Sequence, residues 1–186
     1  THSSSSHFIK RKEGAPKKEA RAKMSTVTDE IKAKAEFYQG DEICQAKSKE
    51  LLIEMGLPNG LLPLHDIEEC GYLRETGFVW LKQKASITHK FKQIDRLVTY
   101  GTEVTAYVEP GKIKKLTGVK AKELLVWLTL TEFSVADPPT GKITFKSTTG
   151  LYRSFPVSAF EVEEHVKESV KENLEVNEAH VEVQEV

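Results

Sequence analysis

The chain has 186 residues, 39% hydrophobic and 30% charged, with a formal net charge of -1, which suits one domain of ordinary size carrying polar extensions. Its two cysteines, Cys44 and Cys70, lack Cys-x-x-Cys spacing, so neither a disulfide framework nor a zinc knuckle is encoded. No apolar run reaches the roughly 20 residues that cross a bilayer as a helix, and no secretory signal is evident, so an intracellular protein, cytoplasmic or peripheral to a membrane, is expected.

Residues 1–23 carry seven lysines and arginines against two glutamates and precede Met24-Ser25-Thr26, a candidate start. They are read as a disordered basic extension, upstream or non-native. A single β-rich domain with an N-terminal helix is expected over residues 24–160. Thr28 or Asp29 caps a first helix running toward Tyr38, and after a break at Gly40 a second begins at Asp41-Glu42, with acids at its positive end. Cys44, Ser48, Leu51, Leu52 and Met55 fall on one helical face, a core-packing stripe that ends at Gly56. The connector Gly56-Leu57-Pro58-Asn59-Gly60-Leu61-Leu62-Pro63 closes that helix and starts a sheet. Gly56 supplies the left-handed closing residue, and each proline holds the leucine before it extended.

Beyond Pro63 the pattern alternates. Strands are expected at Ile67–Arg74 and Phe78–Lys84 about a Thr76-Gly77 turn, then at Ser86–Ile94 and at Leu97–Glu109, where Pro110-Gly111 ends the run. From Val119 through Leu124-Leu125-Val126-Trp127 to Val135 the chain is apolar on both faces, which predicts a strand in the middle of the sheet. Asp137-Pro138-Pro139-Thr140-Gly141 turns the chain, and Ile143–Ser147 with Leu151–Phe155 forms a closing hairpin. The fold class expected is mainly β, an antiparallel meander or barrel-like domain. Residues 161–186 carry nine glutamates against two lysines and are read as an acidic tail, partly helical through Val162, Val166 and Val170 or disordered.

Nucleophile elbows, phosphate loops, zinc helices and calcium loops do not occur in the sequence; no catalytic residue, metal or cofactor is expected. Ser154 has neither a base nor an oxyanion glycine beside it. Two lysine bands stand out: Lys82, Lys84, Lys90 and Lys92 with His89 among them, and Lys112, Lys114, Lys115, Lys120 and Lys122 before the first acid at Glu123. If adjacent in space, they form a surface for anionic groups. No aromatic platform accompanies the lysines and arginine is scarce, which argues against nucleic acid. Trp80, Trp127, Phe78, Phe133, Tyr107, Phe145 and Phe155 are expected to face one interior able to hold an apolar ligand. The candidate ligand-binding residues are therefore Lys82, Lys84, Lys112, Lys114, Lys115, Trp80 and Trp127.

At Leu57-Pro58-Asn59-Gly60-Leu61-Leu62-Pro63 the chain resembles the plant domain-of-unknown-function family 538, whose members carry Leu-Pro-x-Gly-Leu-Leu-Pro after an N-terminal helix. Gly111-Lys112-Ile113-Lys114-Lys115-Leu116-Thr117-Gly118-Val119-Lys120, the strand at Val126-Trp127-Leu128, and Ser154-Phe155-Pro156-Val157-Ser158-Ala159-Phe160 extend the likeness over about Asp41 to Phe160. The resemblance implies a compact antiparallel β fold opening on a helix, and a stress- or development-linked protein related to lipid-binding β proteins. It brings no catalytic residues. The function expected is a non-enzymatic binding module of plant cells, for an amphiphilic small molecule or an anionic membrane surface. The alternatives are an esterase for a large hydrophobic ester, using His65 or His89 with a serine, and a protein-interaction adaptor working through the Val162–Val170 segment, its partner unknown.

Overall fold

The computed structural model describes residues 27–162. Among them, helix α1 (Asp29–Lys34) leads into strand β1 (Glu36–Gln39) and helix α2 (Asp41–Glu54), followed by β2 (Ile67–Leu73), β3 (Phe78–Gln83), β4 (Ile87–Phe91), β5 (Arg96–Glu109), β6 (Lys112–Glu123), β7 (Val126–Val135), β8 (Lys142–Ser147) and β9 (Tyr152–Pro156). The first helix is shorter than its sequence suggests. Thr28 caps it through Ile31 N–H, but Glu36–Gln39 pairs with β2 as an edge strand.

The nine strands form one antiparallel sheet in the order β1-β2-β3-β5-β6-β7-β8-β9, with β4 paired to β5 beside the end of β3. Neither β1 nor β9 has a second neighbour, so the sheet is an open meander. β5 is shared: its first half pairs with β4, its second half with β3, and its other side with β6. The register of β5 against β6 shifts between Tyr100 and Tyr107, and bulges of this kind bend a hairpin. Gly118, opposite that bend, has φ +79, and a Cβ there would lie 2.1 Å from the Glu103 carbonyl oxygen; only glycine admits that approach.

Alternation splits the apolar residues into two layers. One sheet face carries Leu81, Val104, Ala106, Ile113, Val119, Phe133, Ile143 and Phe145, covered by α2, the connector and the turn at Val157–Phe160. The other carries Phe78 and Trp80, covered by Val27, Ile31, Ala35 and Phe37. The aromatic residues therefore do not share one interior, contrary to the sequence expectation. The indole of Trp80 lies across Gly71 of the next strand, where a Cβ would fall 2.2 Å from the ring.

The largest departure concerns residues 119–135. The expected central strand is instead the hairpin β6–β7, with Leu124 and Leu125 at its turn; Leu124 has φ +53, and the two are 83% and 93% exposed. No Gly, Asn or Asp marks that turn, so the apolar run reads as continuous. The Val162–Val170 helix and the acidic tail lie outside the described residues, apart from Glu161 and Val162.

α2 ends as its sequence predicts. Leu57 N–H bonds Leu52 C=O at 2.8 Å and Gly56 N–H bonds Ile53 C=O at 2.9 Å, a Schellman closure with Gly56 at φ +67 and Leu52 and Leu57 both buried. The connector is then fixed to the sheet by Tyr100, whose hydroxyl donates to Leu61 C=O at 2.9 Å. Tyr100 is 1% exposed, and burial pushes its phenol far above the ordinary range. Tyr100→Phe leaves a buried carbonyl unsatisfied, so it is expected to cost about 1–3 kcal/mol in urea unfolding; an unchanged midpoint would show that the bond contributes nothing.

Candidate functional site

The candidate lysines Lys82 and Lys114 do not come together: Lys82 pairs with Glu103 in register, whereas Lys114 pairs with Tyr107, so these two stand four residues apart along β5, roughly 13 Å, and on opposite sides of it. The two bands approach each other at the other end of β5, where Lys90 pairs with Leu97 and Lys120 with Thr99. Nor are they free of acids. Lys82 contacts Glu69 at 3.0 Å, Lys114 contacts Glu109 at 2.5 Å, Lys112 lies 3.9 Å from Glu132, and Lys90 is 2.6 Å from Asp95. Each partner sits on another strand or beyond a turn, where a linear reading misses it. Lys84 is exposed, and Lys115 stacks over Tyr107 with its Nζ 5.0 Å from the ring centre. Trp80 is buried beneath α1, and Trp127 is 43% exposed on β7 opposite Lys122.

The groups proposed for ester hydrolysis are also dispersed. His65 Nδ1 is 3.3 Å from Asp66 on an exposed loop, while His89 on β4 packs edge-on to Phe91, with burial lowering its pKa. Ser154 shares a 2.8 Å hydrogen bond with Thr144. Among the described residues no hydrogen bond joins a serine to either histidine, and no group of three His, Cys, Asp or Glu is placed to hold a metal. Cys44 and Cys70 meet under α2, and burial raises both thiols, which keeps them neutral.

Two cavities open on the α2-covered side of the sheet, divided by the connector. The first, about 140 Å³, lies between α2 and Leu81, Val104, Ala106 and Ile113, and could take about one aromatic ring. Its rim holds Glu36, Glu50 and Glu54 with Lys47 and Arg74, and Arg74 bonds both Glu36 and Glu54. That entrance is net acidic and lined by ion pairs. The second cavity, about 50 Å³, lies between Leu61, Phe91, Tyr100, Leu130, Phe133, Phe145 and Phe160. Its rim carries Arg96, Lys122 and Arg153 around Glu123 alone.

That second rim has an unusual charge arrangement. Arg153 bonds Glu123 at 3.3 Å, and Arg96 approaches the same carboxylate oxygen at 3.9 Å while its guanidinium covers Phe155 at 5.8 Å. Glu123 is 18% exposed. Nε of Arg96 is buried without a hydrogen-bond partner among the described residues. Two guanidinium groups thus share one carboxylate at the mouth of an apolar hollow, leaving net positive charge where desolvation strengthens it. Curling of the sheet brings this cluster together: β9 stands three strands from β6 in the sheet order, yet Arg153 reaches Glu123, and arginine was not among the residues the sequence singled out.

Glu69, by contrast, is a structural carboxylate. Burial alone would raise its pKa, but hydrogen bonds from Lys32 and Lys82 outweigh burial and hold it below the usual glutamate value. Because the folded pKa is depressed, its stabilisation is complete above the unfolded value of about 4.3 and fades as pH falls through the lower folded value. The stability gap between the parent and Glu69→Gln should shrink on acidification across that window; a gap independent of pH would contradict the ion pairing.

The family model described as "Protein of unknown function, DUF538" matches residues 48–161. No curated protein and no solved structure matches the chain. The match begins inside α2 and ends just past the Val157–Phe160 turn, so it spans the connector, every strand from β2 to β9, the whole lining of the second cavity and the first cavity apart from Glu36, Tyr38 and Lys47.

Proposed function

The chain belongs to the DUF538 family, and from that premise we propose that it is a binding module for an amphiphile with an anionic head group, held at the second cavity. The observation that carries this reading is the Arg96–Glu123–Arg153 cluster at an otherwise apolar mouth. A carboxylate or phosphate has the charge and the acceptor atoms that the buried Arg96 Nε lacks. The alkyl portion lies against Phe133, Phe145 and Leu130.

The volume admits only the end of an alkyl chain. About 50 Å³ is on the scale of one or two water molecules. A chain end enters by displacing Leu128 and Leu151, which line both the cavity and the open hollow beside it. The first cavity is larger, but its acidic rim repels an anion. Of the lysines and tryptophans weighed from sequence, Lys122 lies on this rim and Trp127 stands opposite it on β7. Lys82, Lys84, Lys112, Lys114, Lys115 and Trp80 have no part in it. Esterase chemistry and an adaptor role find no comparable cluster among the described residues.

Calorimetric titration with laurate, with dodecyltrimethylammonium as the cationic control, tests the reading. Laurate should bind and the cation should not. The double variant Arg96→Gln, Arg153→Gln should weaken laurate by on the order of tenfold or more, and Glu123→Gln should strengthen it severalfold by removing the competing carboxylate. Equal binding of both detergents, or full laurate affinity in the double arginine variant, would overturn it.

A further inference from the structure

We infer that the β6–β7 hairpin is a membrane-docking element, which inserts Leu124, Leu125 and Val126 into the apolar boundary of an anionic bilayer with Trp127, Lys120 and Lys122 at head-group level. Its apolar tip is not explained by folding. Leu124, Leu125, Val126 and Trp127 are consecutive and 83%, 93%, 56% and 43% exposed, so they contribute little to either core. The turn also runs against local preference. A two-residue hairpin with positive φ at its first central position favours glycine or asparagine, yet Leu124 occupies that position at φ +53. A bulky residue there costs stability, and a broken local rule without a folding benefit points to a function.

Register supplies the second observation. Lys122 pairs with Trp127 and Lys120 with Thr129. At about 3.4 Å per residue, Lys122 stands roughly 7 Å and Lys120 roughly 14 Å behind the tip. An interfacial element buries its apolar part about 5–10 Å into the boundary region, which brings those two ammonium groups to the phosphates. Trp127 then lies in the zone that tryptophan prefers. Glu123, the nearest acid, is already matched by Arg153 and Arg96, so the collar behind the tip remains cationic and complements an anionic surface. Among the described residues no helix is long and apolar enough to cross a membrane, and this mode needs none.

The third observation is continuity. The hollow beside the tip, lined by Leu124, Leu125 and Val126, shares Glu123, Leu128 and Leu151 with the second cavity. A docked hairpin therefore presents the cavity mouth to the bilayer, and an amphiphile passes between them without crossing water. Docking itself does not require the cavity to be occupied.

The chain has two tryptophans; Trp80 is 1% exposed and sheltered beneath α1, so lipid-dependent fluorescence reports Trp127. Full-length protein should co-sediment with phosphatidylcholine vesicles containing phosphatidylglycerol far more than with phosphatidylcholine alone, and brominated acyl chains should quench its emission. The variant Leu124→Asn, Leu125→Asn alters only exposed side chains without adding charge, and asparagine tolerates positive φ better than leucine. It should lose vesicle binding by on the order of tenfold or more while keeping its thermal midpoint and its laurate affinity. Lys120→Gln, Lys122→Gln should remove most of the preference for anionic vesicles. Unchanged vesicle binding in the double-leucine variant, or quenching that persists in Trp127→Phe, would overturn the proposal. So would a parent that ignores vesicles but forms dimers which the double-leucine variant abolishes, since the tip would then join two copies. Loss of laurate binding with intact vesicle binding would count against the cavity reading alone.

Discussion

The hydrogen bond from Tyr100 to the Leu61 carbonyl fixes the connector across the sheet, and most of the functional geometry follows from where that connector lies. Its first half closes α2 and sends Leu57 and Leu62 toward one cavity, while Leu61 lines the other. Gly60 N–H bonds the Phe160 carbonyl at 2.8 Å, and Asn59 bonds the backbone of Val162 in both directions, so the same eight residues also hold the end of the described chain. A Cβ on Gly60 would fall 2.6 Å from the Phe160 oxygen, which makes that glycine a steric requirement. The strap thus stands between two hollows of opposite rim charge.

The sheet is covered on both faces, but unequally. Residues from β2 to β9 supply the larger core with α2 and the connector, whereas the smaller one rests on Trp80 lying over Gly71 beneath α1. Stacking of Trp80 with Phe37 and Phe78 gives that layer enough aromatic area to order a helix of only six residues. The same arrangement withdraws Trp80 from any role at the surface.

Charge follows a similar logic of pairing across strands. Four of the lysines that look unopposed in sequence, Lys82, Lys90, Lys112 and Lys114, meet a glutamate or aspartate from a neighbouring strand or turn, and half-exposed pairs of this sort contribute little to stability or to ligand attraction. Arginine behaves differently here. Two guanidinium groups converge on Glu123 from β5 and β9, directly beside the hairpin tip whose apolar side chains stand in solvent. The cationic rim and the apolar tip thus adjoin at one end of a single hairpin, and this juxtaposition supports both a ligand-binding and a membrane-facing reading.

Local signals carried much of the architecture. The stripe and glycine closure of α2, the Thr76-Gly77 and Pro110-Gly111 turns, the alternation of Val104 and Ala106, and the closing hairpin were legible because each depends on residues within a few positions of one another. So was the likeness of the Leu-Pro-Asn-Gly-Leu-Leu-Pro segment to its family, which the match over residues 48–161 bears out. Tertiary structure alone decided which strands face which core, which lysines are paired, and that residues 119–135 fold back on themselves at two leucines. The reason is physical: a turn without turn residues carries no local signature, and burial and ion pairing are set by cross-strand register, a property of partners far apart in the chain.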